Sequence, residues 1–329
     1  MDWGNKRILV TGAGGFIGSH LSETLTKAGA KVRVFVRYNS ANGRGNLADL
    51  DRSLLGEIEV VAGDLRDAEA VSRAVAGCDL VFHLAALVGI PYSFRNPREV
   101  VETNIMGTLN VLSAARDHQV GRLIHTSTSE VYGSARYVPI DEAHPLQGQS
   151  PYAASKIGAD KLAESFYDTY ELPVVTVRPF NSYGPRQSAR AVIPTIITQA
   201  LAGSEIHLGS MDTKRDFTFV SDTVAGFMKA AQAEQALGRV INIGSGREVA
   251  IGELAQRVAA AIVGSGPVVR DEMRLRPGRS EVNRLVADNR LAKELLAWEP
   301  QVGLDEGIRR TIAWIMAHFE RYEQGKYQI

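Results

Sequence analysis

The segment that most constrains the fold is Ile8-Leu9-Val10-Thr11-Gly12-Ala13-Gly14-Gly15-Phe16-Ile17-Gly18. A short β-prone apolar run enters a glycine-rich turn, and an amphipathic stretch over residues 16–28 comes directly after it. Such a junction reads as strand, turn and helix. The turn needs a residue that tolerates unusual φ, and a side chain there would block an approaching pyrophosphate. Gly12, Gly15 and Gly18 answer both demands, and the backbone at Phe16 and Ile17 opens the helix whose positive end attracts phosphate. A glycine triplet alone is a weak sign. Between a strand and a helix it predicts a dinucleotide site.

The rest of the chain extends this pattern. Apolar runs at 7–11, 31–36, 57–61, 80–83, 122–126 and 174–178 read as buried strands. Amphipathic stretches at 16–28, 68–75, 98–117 and 153–170 read as the helices between them. This alternation predicts an α/β fold, a doubly wound parallel Rossmann sheet with ligands at the strand carboxyl ends. After Phe180 it loosens into helices near 193–202, 222–233, 251–262 and 305–319, separated by loops and short strands. Residues 1–180 are therefore expected to form the dinucleotide-binding domain, catalytic residues included. Residues 181–329 are expected to form a smaller, interleaved α/β substrate lobe. The segment 39–45 is the most loop-like of the N-terminal half.

Charge narrows the partners. Lys and Arg total 37 and so do Asp and Glu, so no overall basic field exists to hold nucleic acid or an anionic membrane. An anionic ligand must be held by local groups. Cys78 is the sole cysteine, which excludes an intramolecular disulfide and suits a reducing compartment. Residues 1–7 lack the apolar core of a signal peptide, and no run reaches the ~18 apolar residues of a spanning helix. A cytoplasmic protein without a metal site is expected.

Two further clusters carry chemistry. Ser150-Pro151-Tyr152-Ala153-Ala154-Ser155-Lys156 opens a helix, with Ser150 as cap and Pro151 in the first position. Tyr152 and Lys156, four residues apart, share a face. An adjacent ammonium and the helix N-terminus would favour the Tyr152 phenolate. The run His125-Thr126-Ser127-Thr128-Ser129-Glu130 ends the fifth strand and concentrates hydroxyls and one carboxylate there. At the end of the second strand, Arg37 stands where an acid would favour NAD and an Arg would accommodate the NADP 2′-phosphate. Arg37 tilts the choice toward NADP, with NAD open and an ordinary surface charge as the alternative.

These residues resemble the extended short-chain dehydrogenase/reductase family over nearly the whole chain. The resemblance includes Gly63-Asp64-Leu65, His83-Leu84-Ala85-Ala86, Asn104, Arg178-Pro179-Phe180-Asn181-Ser182-Tyr183-Gly184-Pro185 and Arg215-Asp216-Phe217. It implies that Asp64 and Leu65 lie along the adenine, with Leu84, Ala85 and Ala86 near the nicotinamide ribose. It also implies that Thr128 and Tyr152 act at the sugar 4-hydroxyl, with Lys156 beside the cofactor. Asn181, Arg190, Val192, Arg215 and Arg276 would face a nucleotide-diphospho-sugar, and the chain would form a homodimer.

Members share oxidation at C4, and residues 129 and 130 direct the later steps. A 4-epimerase needs no carboxylate there, whereas a 4,6-dehydratase must remove the C5 proton, a task suited to Glu130. Ser129 departs from the Asp of many dehydratases. Ser129-Glu130 resembles GDP-mannose 4,6-dehydratases and UDP-glucuronate decarboxylases. A decarboxylase would want a cation beside the substrate carboxylate, for which Arg186 or Arg276 could serve. Longer stretches, among them Arg37-Tyr38-Asn39-Ser40, Ala86-Leu87-Val88-Gly89-Ile90-Pro91-Tyr92-Ser93 and Pro145-Leu146-Gln147-Gly148-Gln149-Ser150, resemble the subgroup with GDP-N-acetylglucosamine 4,6-dehydratases of bacterial legionaminic-acid pathways. A non-enzymatic dinucleotide sensor is the remote alternative.

Overall fold

The computed structural model describes residues 2–38, 43–275 and 278–322. Its strands, in chain order, begin with β1 (Arg7–Thr11), β2 (Lys31–Arg37), β3 (Glu59–Gly63), β4 (Leu80–His83), β5 (Arg122–Thr126) and β6 (Val174–Pro179). They continue with β7 (Asn181–Tyr183), β8 (Ile206–Leu208), β9 (Lys214–Phe219), β10 (Val240–Ile243), β11 (Glu248–Ala250) and β12 (Val268–Arg270). Seven form one parallel sheet in the order β10-β6-β5-β4-β1-β2-β3. Ile8, Leu9 and Val10 are fully buried in its middle, as expected of a strand covered by helices on both faces. Strand order reverses between β1 and β4, and a crevice for ligand opens at their carboxyl ends.

Most expected elements form within a residue or two, and the departures have local causes. The third strand begins at Glu59 because Glu57 and Ile58 close the short helix Arg52–Gly56 through bonds to Leu54 and Leu55 carbonyls. The helix expected at 98–117 is interrupted. Pro97–Val101 runs into a π-helical turn, Glu102–Met106, before Gly107–Asp117 resumes. Residues 39–42 of the expected loop lie outside the described residues, and Gly45–Asp49 forms a 3₁₀ turn.

A cut after residue 180 divides the main sheet. β10 comes from the second half and pairs with β6 from Val240↔Thr176 to Ile243↔Pro179. The helix Val220–Gln232 packs on Phe16–Lys27. What remains of the second half forms the sheet β11-β9-β7, the pair β12-β8 and the helices Val192–Leu201, Ile251–Ala260 and Leu304–Ala317. One apolar cluster joins Ile8, Val10 and Ile124 of the main sheet to Ile196, Phe217, Leu254 and Ile308 of this lobe. The lobe therefore closes on the sheet without a core of its own.

Candidate active site

At the phosphate turn the three glycines prove to serve different ends. Gly12 has φ +71°, and a Cβ there would lie 2.7 Å from the Ala85 nitrogen. At Gly18 it would lie 2.3 Å from the Gly12 carbonyl oxygen. Both positions exclude side chains by the protein's own packing. At Gly15 the nearest such atom is the Gly12 oxygen at 3.1 Å, so the remaining space there faces the cleft. Gly15 also caps the helix Phe16–Lys27 without a side-chain bond, which leaves first-turn N–H groups for an anion. These features fit a dinucleotide pyrophosphate. The loop Gly43–Gly45, expected as a loop but not assigned to the site, packs on the turn, and the adjacent Asn46 N–H donates to the Gly14 carbonyl at 2.9 Å.

A cleft of about 960 Å³ runs from this turn along the carboxyl ends of the strands into the lobe. Gly12, Gly15, Phe16, Ile17 and Gly18 line one end, with Arg37, Asp64 and Leu65 nearby. Leu84, Ala85 and Ala86 line its middle beside Thr128, Ser129, Glu130 and Tyr152. Asn181, Arg190, Val192 and Arg215 line the lobe side. Arg276 lies outside the described residues. Among the described residues, three buried polar atoms on the cleft have no partner: Thr126 Oγ1, Asn181 Oδ1 and Gln187 Oε1. Such atoms are costly unless a ligand or water meets them.

The cofactor end is built by side chains behind it. Thr11 accepts from the Ala85 N–H at 3.2 Å and donates to His83 Nδ1 at 2.8 Å. His83 Nε2 in turn meets Thr108 at 3.0 Å, and Thr108 donates to the Asn104 carbonyl. Burial holds the His83 pKa well below its ordinary value, so the ring is neutral and relays both bonds. The Asn104 side chain, carried on the π turn, clamps the Leu87 backbone through both amide atoms and donates to Ser155 at 2.9 Å. Asp64 is held at about 2 by its hydrogen bonds from Arg66. Arg37 is largely exposed and meets Glu99 at 3.4 Å.

The groups expected to react come from two turns. Thr128 caps the 3₁₀ turn Ser129–Tyr132 by accepting from the Glu130 N–H at 3.2 Å. Among the described residues the Glu130 carboxylate has no hydrogen bond or ion pair, and it is half-buried in the cleft wall. Ser150 caps Pro151–Tyr170 as expected, accepting from Ala153 N–H at 3.1 Å. This puts Tyr152 in the helix's first turn. The expected easing of the Tyr152 phenol by Lys156 is not what dominates. Burial pushes its pKa up, Glu130 adds to the rise, and a hydrogen bond with Thr128 only partly offsets them. Lys156 is itself buried, one helical turn beyond Tyr152.

On the lobe side Arg215 is buried, its guanidinium meeting Glu281 at 3.5 Å and the Lys214 carbonyl at 3.0 Å. Arg190 is exposed at the cleft. Arg186, considered as a cation for a substrate carboxylate, is turned away. It pairs with Glu23 at 2.7 Å and lies over the Trp314 ring, outside the cleft lining. His207, Ser210, Arg274 and Glu281 also line this end, and sequence reasoning missed them because loops and very short strands carry them. Among the described residues no group of His, Cys, Asp and Glu could hold a metal ion, and no helix is long and apolar enough to cross a membrane.

Comparison with known proteins agrees with this geometry. The family model described as GDP-mannose 4,6 dehydratase matches residues 9–311. A dTDP-glucose 4,6-dehydratase of Actinoplanes sp. is 34% identical over 95% of this chain and 98% of its own length. A UDP-N-acetyl-alpha-D-glucosaminuronate decarboxylase of Bacillus cytotoxicus is also 34% identical, over 94% and 97%. Names of UDP-glucose 4-epimerases occur at similar identity. Among solved structures, DesIV, a dTDP-glucose 4,6-dehydratase from Streptomyces venezuelae with NAD bound, superposes with a TM-score of 0.87. It is 33% identical and covers 97% of this chain and 100% of that one.

Proposed function

From the premise that this chain belongs to the GDP-mannose 4,6-dehydratase family of nucleotide-sugar enzymes, we propose that it is a nucleotide-diphospho-sugar 4,6-dehydratase. The observation that carries the reading is Glu130, a carboxylate in the cleft wall beside Thr128 and Tyr152 that no described residue engages. A 4-epimerase has no task for it. The decarboxylase reading loses Arg186, which is taken up by Glu23.

Each residue has its own part in the reaction. The turn that Gly12, Gly15 and Gly18 shape, together with the helix start, would hold the pyrophosphate of a nicotinamide dinucleotide, which would supply the hydride acceptor and donor of the reaction. Thr128 orients the sugar 4-hydroxyl, and Tyr152 takes its proton as C4 is oxidised. The resulting ketone acidifies C5–H, and Glu130 removes that proton. The C6–O bond then breaks, and Glu130 returns the proton to the departing hydroxyl as water, since Ser129 is too weak an acid to do so. The hydride removed from C4 is then returned to C6 of the resulting 4-keto-5,6-ene, and a solvent-exchanged proton is added at C5 through Glu130, which gives a 4-keto-6-deoxy sugar with no net oxidation. Asn181, Arg190, Val192, Arg215 and Arg276 hold the nucleotide diphosphate. Arg37 lets NADP bind at least as tightly as NAD. The long sequence stretches around Arg37, Ala86 and Pro145 support GDP- or UDP-N-acetylglucosamine as substrate, the family resemblance supports a homodimer as the working form, and the single cysteine suits the cytoplasm.

A panel of sugar nucleotides analysed by mass spectrometry tests the reaction. Loss of water is expected; loss of carbon dioxide, or an isomer of unchanged mass, would replace the reading. Glu130→Gln should lower elimination ~100- to 10,000-fold while C4 oxidation survives as a single-turnover rise in reduced-nicotinamide absorbance. Wild-type enzyme in heavy water should place deuterium at C5. Near wild-type elimination by the variant would make Glu130 structural and remove the main support for dehydration.

A further inference from the structure

Tyr152, Lys156 and Asp160 succeed one another at four-residue spacing on the helix Pro151–Tyr170, and all three are buried. Asp160 lies behind the cleft rather than in its lining. Its two oxygens accept four bonds. His125 Nε2 reaches Oδ1 at 3.1 Å, and Ser127 Oγ reaches Oδ2 at 2.7 Å. Arg178 Nε and Nη2 reach Oδ2 at 3.2 and 2.9 Å. Arg178 continues to the Tyr132 hydroxyl at 3.0 Å, which donates to Asn242 Oδ1 at 2.7 Å. The carboxylate is thus gripped from β5 and β6 and tied onward to β10, while its own helix carries the two residues of the catalytic pair.

A charge so deeply buried is costly, and a structural staple would not require one. Lys156 interacts electrostatically with His83 from β4, His125 from β5 and Asp160, which Arg178 from β6 grips, and Tyr152 lies one turn before it on the same helix. Burial lowers the pKa of both histidines. Neutral His125 donates to Asp160 through Nε2, and its Nδ1 has no partner among the described residues. Asp160 is therefore the anion that offsets the Lys156 ammonium inside the protein. We propose that Asp160 is a positioning residue of the active site, a fixed buried anion that keeps Lys156 charged and aimed at the cofactor beside Tyr152. Burial drives the Lys156 ammonium down and Asp160 is the one cause acting to raise it, so that its pKa stands at about 8. Without Asp160 it would stand lower still.

The proposal rests on the reading of Tyr152 and Lys156 as the catalytic pair, and the test separates the two. Cofactor binding, by calorimetry with NAD and with NADP, and turnover are measured from about pH 6 to about pH 9.5. Wild-type protein should lose affinity on the alkaline side, and Lys156→Met should abolish that limb. Asp160→Asn should move the limb down by about one pH unit or more. Arg178→Gln breaks the same ion pair but removes a competing cation, so it should move the limb up. Asp160→Glu keeps the charge and should restore the wild-type position. A purely structural pair would lower the melting temperature in both variants and shift the limb in neither, and that result overturns the proposal. A limb that moves the same way in both also overturns it. Should Asp160→Asn fail to fold, Arg178→Gln decides alone: an upward shift supports the proposal, and no shift or a downward one refutes it. A wild-type limb that Lys156→Met leaves intact sinks the catalytic-pair reading first and the proposal with it.

Discussion

Tyr152 lies in a dry position, and its phenol, unaided, stays protonated across the neutral range because burial outweighs the Thr128 hydrogen bond. On the proposed mechanism, the positive charge that eases its proton would come from Lys156 and a bound cofactor together. Arg37 shows the opposite case, an exposed charge whose partner Glu99 sits at 3.4 Å. Exposed pairs of this kind are worth little, so a 2′-phosphate can take the guanidinium from Glu99. Calorimetry should find NADP bound at least as tightly as NAD, and Arg37→Ala should weaken NADP about 10- to 100-fold while sparing NAD, as expected for a charged hydrogen bond. NAD much the tighter ligand, with Arg37→Ala neutral toward both, would end the argument for NADP.

Among elements, the helix Pro151–Tyr170 is the one whose start matters most. Its Ser150 cap satisfies an orphan donor one residue from Tyr152, and Pro151 presets the first helical φ. Ser150→Ala should cost ~1 kcal/mol in urea unfolding. It should also cost turnover, because the frayed turn carries Tyr152. Unchanged stability together with unchanged turnover would mean that packing alone sets the helix start. The π turn Glu102–Met106 plays the same part for the neighbouring helix. The extra residue in that turn accompanies the placement of Asn104, whose amide ties Leu87 at the cleft to Ser155 beside Lys156.

At the scale of the whole molecule, Asp216 on β9 ties the lobe to the main sheet. Its carboxylate accepts from Ser245 N–H at 2.7 Å, Gly246 N–H at 2.9 Å and Ala287 N–H at 3.0 Å, and from the Ser245 hydroxyl at 2.5 Å. Asp216→Ala leaves these donors without their acceptor and should cost at least about 2 kcal/mol in urea unfolding. A variant as stable as wild type would show that apolar packing alone couples lobe and sheet. Acid acts elsewhere. Burial raises the Asp160 carboxyl, but His125 and Arg178 outweigh it and hold it at about 2, against the ordinary 3.8. The stability this contributes is complete above 3.8 and is lost as pH falls through about 2.

The sequence by itself determined the features written in local spacing. These are the glycine turn, the alternation of strands and helices through β6, the capped Tyr152–Lys156 helix and the hydroxyl run ending at Glu130. Each depends on residues within a few positions of one another, where backbone geometry alone decides which side chains share a face. Tertiary structure decided the rest. Nothing near Val240–Ile243 announces that it extends a sheet begun at Arg7. Arg186 and Arg215 are equally plausible cations in one dimension, yet Glu23 and Trp314 turn the first away while β9 holds the second at the cleft. Asp160 had no motif to mark it, because its partners come from β5 and β6. The charge state of a buried group is set by what packs against it, and that is settled only when distant segments meet.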